Sequence, residues 1–169
     1  MVVEQFSLAG KAALVIGASN PVAANSCANE IWALDRKGSA QAIDAADEKD
    51  VDSLVARANS EFGRLDILVN AQDLHFAKPA LEISLAEWRR VVDANLTGVF
   101  LACRAAGREM FRRESGRIIN ISSVLAERGM ANGSAYCAAQ AGVLNLTRAL
   151  ALEWARSDVT VNAVGAGWI

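Results

Sequence analysis

The sequence predicts an α/β fold, a doubly wound parallel sheet flanked by helices. Three observations point there. Short apolar runs of strand length alternate with longer segments of helical period. The strand runs are continuously apolar, as in strands covered on both faces. The chain has 169 residues, 53% hydrophobic and 21% charged, which suits one packed core without disorder. No repeat, low-complexity tract or Pro/Ser linker interrupts it, so residues 1–169 read as a single domain.

The elements follow in order. Ala12–Gly17 (AALVIG) is a buried strand closed by Gly. Ala28–Lys37 reads as helix and Ala40–Ile43 as a short strand ending at Asp44. Asp47–Phe62 is helical, opened by acidic residues that favour a helix N-terminus. Leu65–Asn70 (LDILVN) is a strand. Ser84–Arg113 is a long helix whose Ser84 and Glu87 have capping-box spacing. Arg117–Ser123 is a strand, Ser134–Ser157 an Ala-rich helix and Val159–Val164 a final strand.

Composition narrows the function classes. The net charge of −2 provides no basic excess for a phosphate backbone, so nucleic acid is an unsuitable partner. Three scattered cysteines (Cys27, Cys103, Cys137) suit a reducing compartment rather than a disulfide framework. No signal peptide is legible and no apolar run is long enough to span a bilayer, so the expected location is the cytoplasm. The single histidine, His75, has no Cys, His or carboxylate cluster around it, and no metal site is expected.

Ligands in doubly wound folds sit outside the carboxyl ends of the strands. Here those ends carry Gly17–Asn20, Asp44, Asn70–Asp73, Ser122–Ser123 and Gly165–Ile169. Each stretch alone is turn chemistry. Five in succession indicate a site.

From about Leu8 to Ile169 the chain resembles the short-chain dehydrogenase/reductase family, a Rossmann-like group. The resemblance is carried by LDILVN (65–70), DANLTGVF (93–100), GRIINISS (116–123), the Ser123-to-Tyr136 spacing and VTVNAVGAGWI (159–169). It implies NAD or NADP as the hydride carrier. It implies that Tyr136 is the general acid/base, that Ser123 polarises the reacting oxygen, and that Asn95 holds a water on the proton route. It further implies that Gly17 opens the turn beneath the pyrophosphate, with Ser19 in that turn, and that Asp44 contacts the adenine amine. Asn70 would end its strand beside the cofactor, with Gly167 and the backbone of Ile169 near the carboxamide.

Departures from the family pattern are concentrated at the cofactor. Pro21 and Ala23 stand where the second and third glycines of the phosphate turn belong, removing an N–H and adding Cβ atoms. Between Asn20 and Glu30 there is no room for the family's first crossover helix and second strand. That unit, and the elements beyond Ile169, are either absent from the protein or left out of this stretch of it. The stretch from Glu30 reads as the next helix and strand, with Asp35 at a helix end. Asn70-Ala71-Gln72-Asp73 replaces Asn-Asn-Ala-Gly, and Ala166 replaces a Pro. Most telling, Gln140 replaces the Lys one helical turn beyond Tyr136. A free tyrosine has a pKa of about 10, and a cation is what brings it toward working pH.

The remaining features have ordinary readings. Cys137 points away from Tyr136 into core or interface. Arg104, Arg108 and Arg112 form a solvated stripe, or, as a minor alternative, a dock for an acidic partner or a phosphorylated substrate. Trp32, Trp88, Trp154 and Trp168 are packing residues. The helices at 84–113 and 134–157 are apolar on more than one side, which predicts a homo- or hetero-oligomer through them; the resemblance implies the same. The expected function is an impaired subunit assembled with an active paralogue in an NAD(P)-dependent alcohol/ketone dehydrogenase, hydroxyacyl-CoA among its substrates. The alternative is an active oxidoreductase in its own right. Non-redox chemistry ranks last, because family members that do it keep a basic residue where Gln140 stands.

Overall fold

The computed structural model describes residues 7–17, 21–33, 37–41 and 47–167. Five parallel strands form one sheet: β1 (Ala12–Ile16), β2 (Lys37–Gln41), β3 (Ile67–Asn70), β4 (Gly116–Ser123) and β5 (Val159–Ala166), in the order β2-β1-β3-β4-β5. The helices are α1 (Pro21–Ala33), α2 (Glu48–Phe62), α3 (Leu85–Val92), α4 (Gly98–Phe111) and α5 (Ser134–Trp154). The chain winds outward from β1 in both directions, so the switch point lies between β1 and β3.

The main core lies on one face. Leu14, Ile16, Leu68, Ile118 and Val161 point into it, and α2, α4 and α5 close it with Val51, Val55, Ala102, Met110, Val143 and Trp154. The opposite face is covered less well than the apolar runs suggested: Ala13, Val15, Ile67, Val69 and Ile119 are half-buried. There α1 packs onto the edge strand. Ile31 sits so close to Gly38 that a Cβ at 38 would come within 2.6 Å of it.

Several boundaries differ from the sequence reading, each for a physical reason. The first helix starts at Pro21, not Ala28, because the missing N–H of Pro costs nothing in a first helical turn. It ends at Ala33, and Lys37 already belongs to β2. That strand, KGSAQ, has little strand character of its own. It pairs from Ala12↔Lys37 to Ile16↔Gln41, taking the place directly beside β1. The edge that a missing crossover unit would expose is thus covered by the next strand in sequence. The 84–113 helix is two α-helices joined by a π-helical turn over Asp93–Thr97. The last helix ends at Trp154 and the last strand reaches Ala166. The capping box is present: Ser84 Oγ accepts from the Glu87 N–H, and the Ser84 N–H donates to Glu87. Ser19, Asp35, Asp44, Trp168 and Ile169 lie outside the described residues.

The arginine stripe is tied down within the fold. Arg104 and Arg108 on α4 pair with Glu48 and Asp52 on α2, and Arg112 pairs with Glu109. Trp154 packs edge-on against Phe111 in the core, whereas Trp32 and Trp88 are partly exposed.

Candidate functional site

A cleft of about 210 Å³ opens beyond the carboxyl ends of β3, β4 and β5. Ala71, Gln72, Asp73 and His75 line it from the loop after β3. Ser122 and Ser123 line it from β4, Tyr136 and Gln140 from α5, and Gly167 from the end of β5.

The loop after β3 is shaped by Asn95. Its Oδ1 accepts from the Leu74 N–H at 2.8 Å, and its Nδ2 donates to the Leu74 carbonyl at 3.0 Å and to the Val91 carbonyl at 3.0 Å. Asn95 is buried in the π-helical turn, a feature that often marks functional sites in long helices. Its amide is committed to the backbone of the loop and of α3, whereas the resemblance assigns it a water. With Leu74 pinned on one side, Asp73 and His75 reach Tyr136 from the other. The Tyr136 hydroxyl donates to Asp73 Oδ1 at 2.8 Å, and the His75 ring lies tilted against the phenol ring, centroids 5.3 Å apart.

Tyr136 is 5% exposed and packs with Val91, Ala135, Phe76 and Leu125. Burial pushes its phenol up to about 12. The Asp73 carboxylate adds to that rise and the Ser123 hydroxyl opposes it. Ser123 Oγ also accepts from the Leu125 N–H at 3.1 Å. Gln140, 2% exposed, accepts the Ser122 hydroxyl through its Oε1 at 3.1 Å. Among the described residues no lysine or arginine lines the cleft.

Asn70 does not face the cleft. It is fully buried, and its Nδ2 donates to Asn120 Oδ1 at 2.8 Å and to Cys103 Sγ at 3.3 Å. Asn120 donates onward to Thr147, and Thr147 to the Val143 carbonyl. The side chain that ends β3 therefore ties the sheet to α4 and α5. The Cys103 thiol inside this network is pushed up to about 12 by burial, which keeps it unreactive. Gly17 stands at the mouth of β1 with φ of 118°. A Cβ there would lie 2.2 Å from the Gln72 backbone nitrogen, so its first role is to let two strand ends meet. Gln72 buries both amide atoms without a hydrogen-bond partner among the described residues.

Sequence reasoning missed His75 as a site residue and missed Asp73 as the partner of Tyr136. The available signal was their position: alternate residues of a loop leaving a strand end. No group of three potential metal ligands occurs among the described residues.

A parallel sheet switched between β1 and β3, with Ser123 and Tyr136 in a cleft beyond its carboxyl ends, defines a Rossmann-like α/β domain. The short chain dehydrogenase profile matches residues 2–169, and the chain belongs to that family. It is 48% identical over 126 residues to a cis-4-hydroxycyclohexanecarboxylate dehydrogenase of Sinomonas cyclohexanicum, covering 74% of this chain and 51% of that one. It is 31% identical to a 2-dehydro-3-deoxy-D-gluconate 5-dehydrogenase of Escherichia coli, covering all of this chain and 76% of that one. That match runs over 191 residues, more than the 169 of this chain, as expected if an internal unit is missing. A solved short chain dehydrogenase from Mycobacterium smegmatis superposes with a TM-score of 0.85 at 30% identity, over 95% of this chain and 78% of that one. The chain spans about half to two thirds of the length of the first curated relatives it matches.

Proposed function

We propose that this chain is a catalytically impaired short-chain dehydrogenase subunit that assembles with an active paralogue. The assembly would oxidise a secondary alcohol or reduce a ketone, hydroxyacyl thioesters such as hydroxyacyl-CoA among them. One observation carries the reading. Where an active site of this kind needs a cation beside the phenol, Gln140 is tied to Ser122, and the phenol faces the carboxylate of Asp73 instead.

The described residues of the cleft do not fit NAD or NADP. Asp73 is exposed in it, where it would repel an anionic dinucleotide, and no basic side chain among the described residues offsets that charge. The apolar residues left open on α4 and α5 support assembly: Phe100 is 40% exposed and Leu152 82%. Among the described residues no helix is long and apolar enough to cross a membrane.

Isothermal titration of the purified chain with NADH and NADPH tests the reading. No saturable heat is expected at up to about 1 mM ligand, an affinity equivalent to roughly 4 kcal/mol. Gln140→Lys alone should leave that result unchanged, because Asp73 remains. Micromolar binding by the chain alone would discard the proposal in favour of an active NAD(P)-dependent oxidoreductase. Ser123, Tyr136 and His75 in one cleft favour that second reading. Co-purification followed by mass spectrometry identifies the partner, which must belong to the same family and carry the lysine.

A further inference from the structure

We propose that Asp73 is a positioning residue that holds the Tyr136 hydroxyl proton, so that the phenol meets a ligand as a hydrogen-bond acceptor rather than as a donor. The inference deepens the reading of an impaired site and rests on it.

The geometry is direct. A phenol has one proton and two acceptor lone pairs. Here the proton is directed to Asp73 Oδ1 at 2.8 Å, and an ionised carboxylate is a pure acceptor that cannot return a hydrogen bond. Asp73 is held in range by its neighbour: Leu74 is clamped to Asn95 through both its N–H and its carbonyl. The clamp and the acceptor are consecutive residues, so the loop cannot carry Asp73 away from the phenol without breaking two hydrogen bonds. The groups facing the phenol are Asp73 and His75 from this loop and Ser123 from the end of β4; Cys137, the next residue on its own helix, acts on it only weakly and through space.

The consequence is chemical selectivity. A carbonyl oxygen needs a donor, and Tyr136 has already spent its proton on Asp73. A hydroxyl-bearing ligand can donate to the free lone pairs of the phenol. The cleft of this chain therefore suits an alcohol in preference to the corresponding ketone, independently of whether a dinucleotide binds.

Tyr136 is the single tyrosine of the chain, which makes the test clean. Protein labelled with ¹³Cζ-tyrosine gives one resonance, and its chemical shift reports what the hydroxyl bonds to. In the wild-type chain the Tyr136 hydroxyl proton is expected to exchange slowly with water and to resonate downfield, because a carboxylate accepts it. The ¹³Cζ resonance should move in Asp73→Gly, where that acceptor is gone, with circular dichroism confirming that the variant folds. His75→Gln should leave the hydroxyl proton held, which separates the carboxylate from the neighbouring ring. A wild-type hydroxyl proton in free exchange with water, or a ¹³Cζ resonance unmoved by removal of the carboxylate, overturns the proposal. The wild-type measurement needs no variant, so a variant that failed to fold would not leave the question open. The outcome is also separate from the cofactor reading: the chain could bind NADH tightly and still hold the proton on Asp73, or bind none and leave it free.

Discussion

Gly17→Ala is expected to destabilise the domain by about 3 kcal/mol, combining overpacking with a backbone angle that side chains rarely adopt. Gly17 has φ of 118°, and an added Cβ would lie 2.2 Å from the Gln72 nitrogen and 2.5 Å from the Ala71 carbonyl carbon. Those neighbours are backbone, so no flexible side chain can swing aside. The turn is also fixed from both sides. The Gly17 N–H donates to the Gln41 carbonyl, and the Ala71 N–H donates to the Ile16 carbonyl at 2.7 Å. Relief would have to come from prising β1 away from β3 at the edge of the cleft. Urea unfolding followed by circular dichroism checks this through a lower midpoint at unchanged slope. A loss below about 1 kcal/mol would mean that the loop carrying Asp73 is free to retreat, and the clamp described for Leu74 would then be too weak for its role.

Asp66→Ala acts at the opposite end of the sheet and should cost roughly 2 kcal/mol, the range for losing hydrogen bonds to a charged group, because the arginines left behind stay in contact with solvent. Asp66 is 4% exposed. It accepts from the Ala12 N–H at 2.9 Å, from Arg64 through both oxygens at 2.5 and 2.7 Å, and from Arg113 at 3.4 Å. One carboxylate thus anchors the start of β1, the approach to β3 and the segment after α4. Burial by itself would raise its pKa, but Arg64, the Ala12 N–H and Arg113 together outweigh burial and hold it below 3.8. The sign follows from linkage. The contribution is fully present above the unfolded value of 3.8 and is lost as the pH falls through the lower folded value. Wild-type stability should therefore decline on acidification below about pH 4, and Asp66→Ala should flatten that part of the profile. An unaltered acid limb in the variant would show that other carboxylates govern it.

What could be read from the sequence was what neighbouring residues decide. Ser84 and Glu87 sit three apart and cap each other through local bonds, so spacing alone revealed them. LDILVN and GRIINISS are apolar enough to announce buried strands by themselves. KGSAQ is not; it becomes a strand because β1 offers it an unpaired edge, a tertiary fact. The π-helical turn was invisible because one additional residue in a turn barely disturbs an apolar period. At the site, Tyr136 and Ser123 were found by resemblance, whereas the bond from Tyr136 to Asp73 joins residues 63 apart in sequence and exists only once the loop is folded. Arg104 and Arg108 looked solvated because their partners, Glu48 and Asp52, repeat the same interval of four on another helix.

The wide turn at Asp93–Thr97 lets one rod serve two tenants. Ahead of it, Val91 belongs to the small apolar shelf under Tyr136; behind it, Val99, Ala102 and Ala106 belong to the main foundation against the sheet. Because the turn resets the phase between these halves, the shelf can be remodelled by substitution without shifting the foundation. A scaffold divided in this way can change the work done at its mouth while its core stays the same.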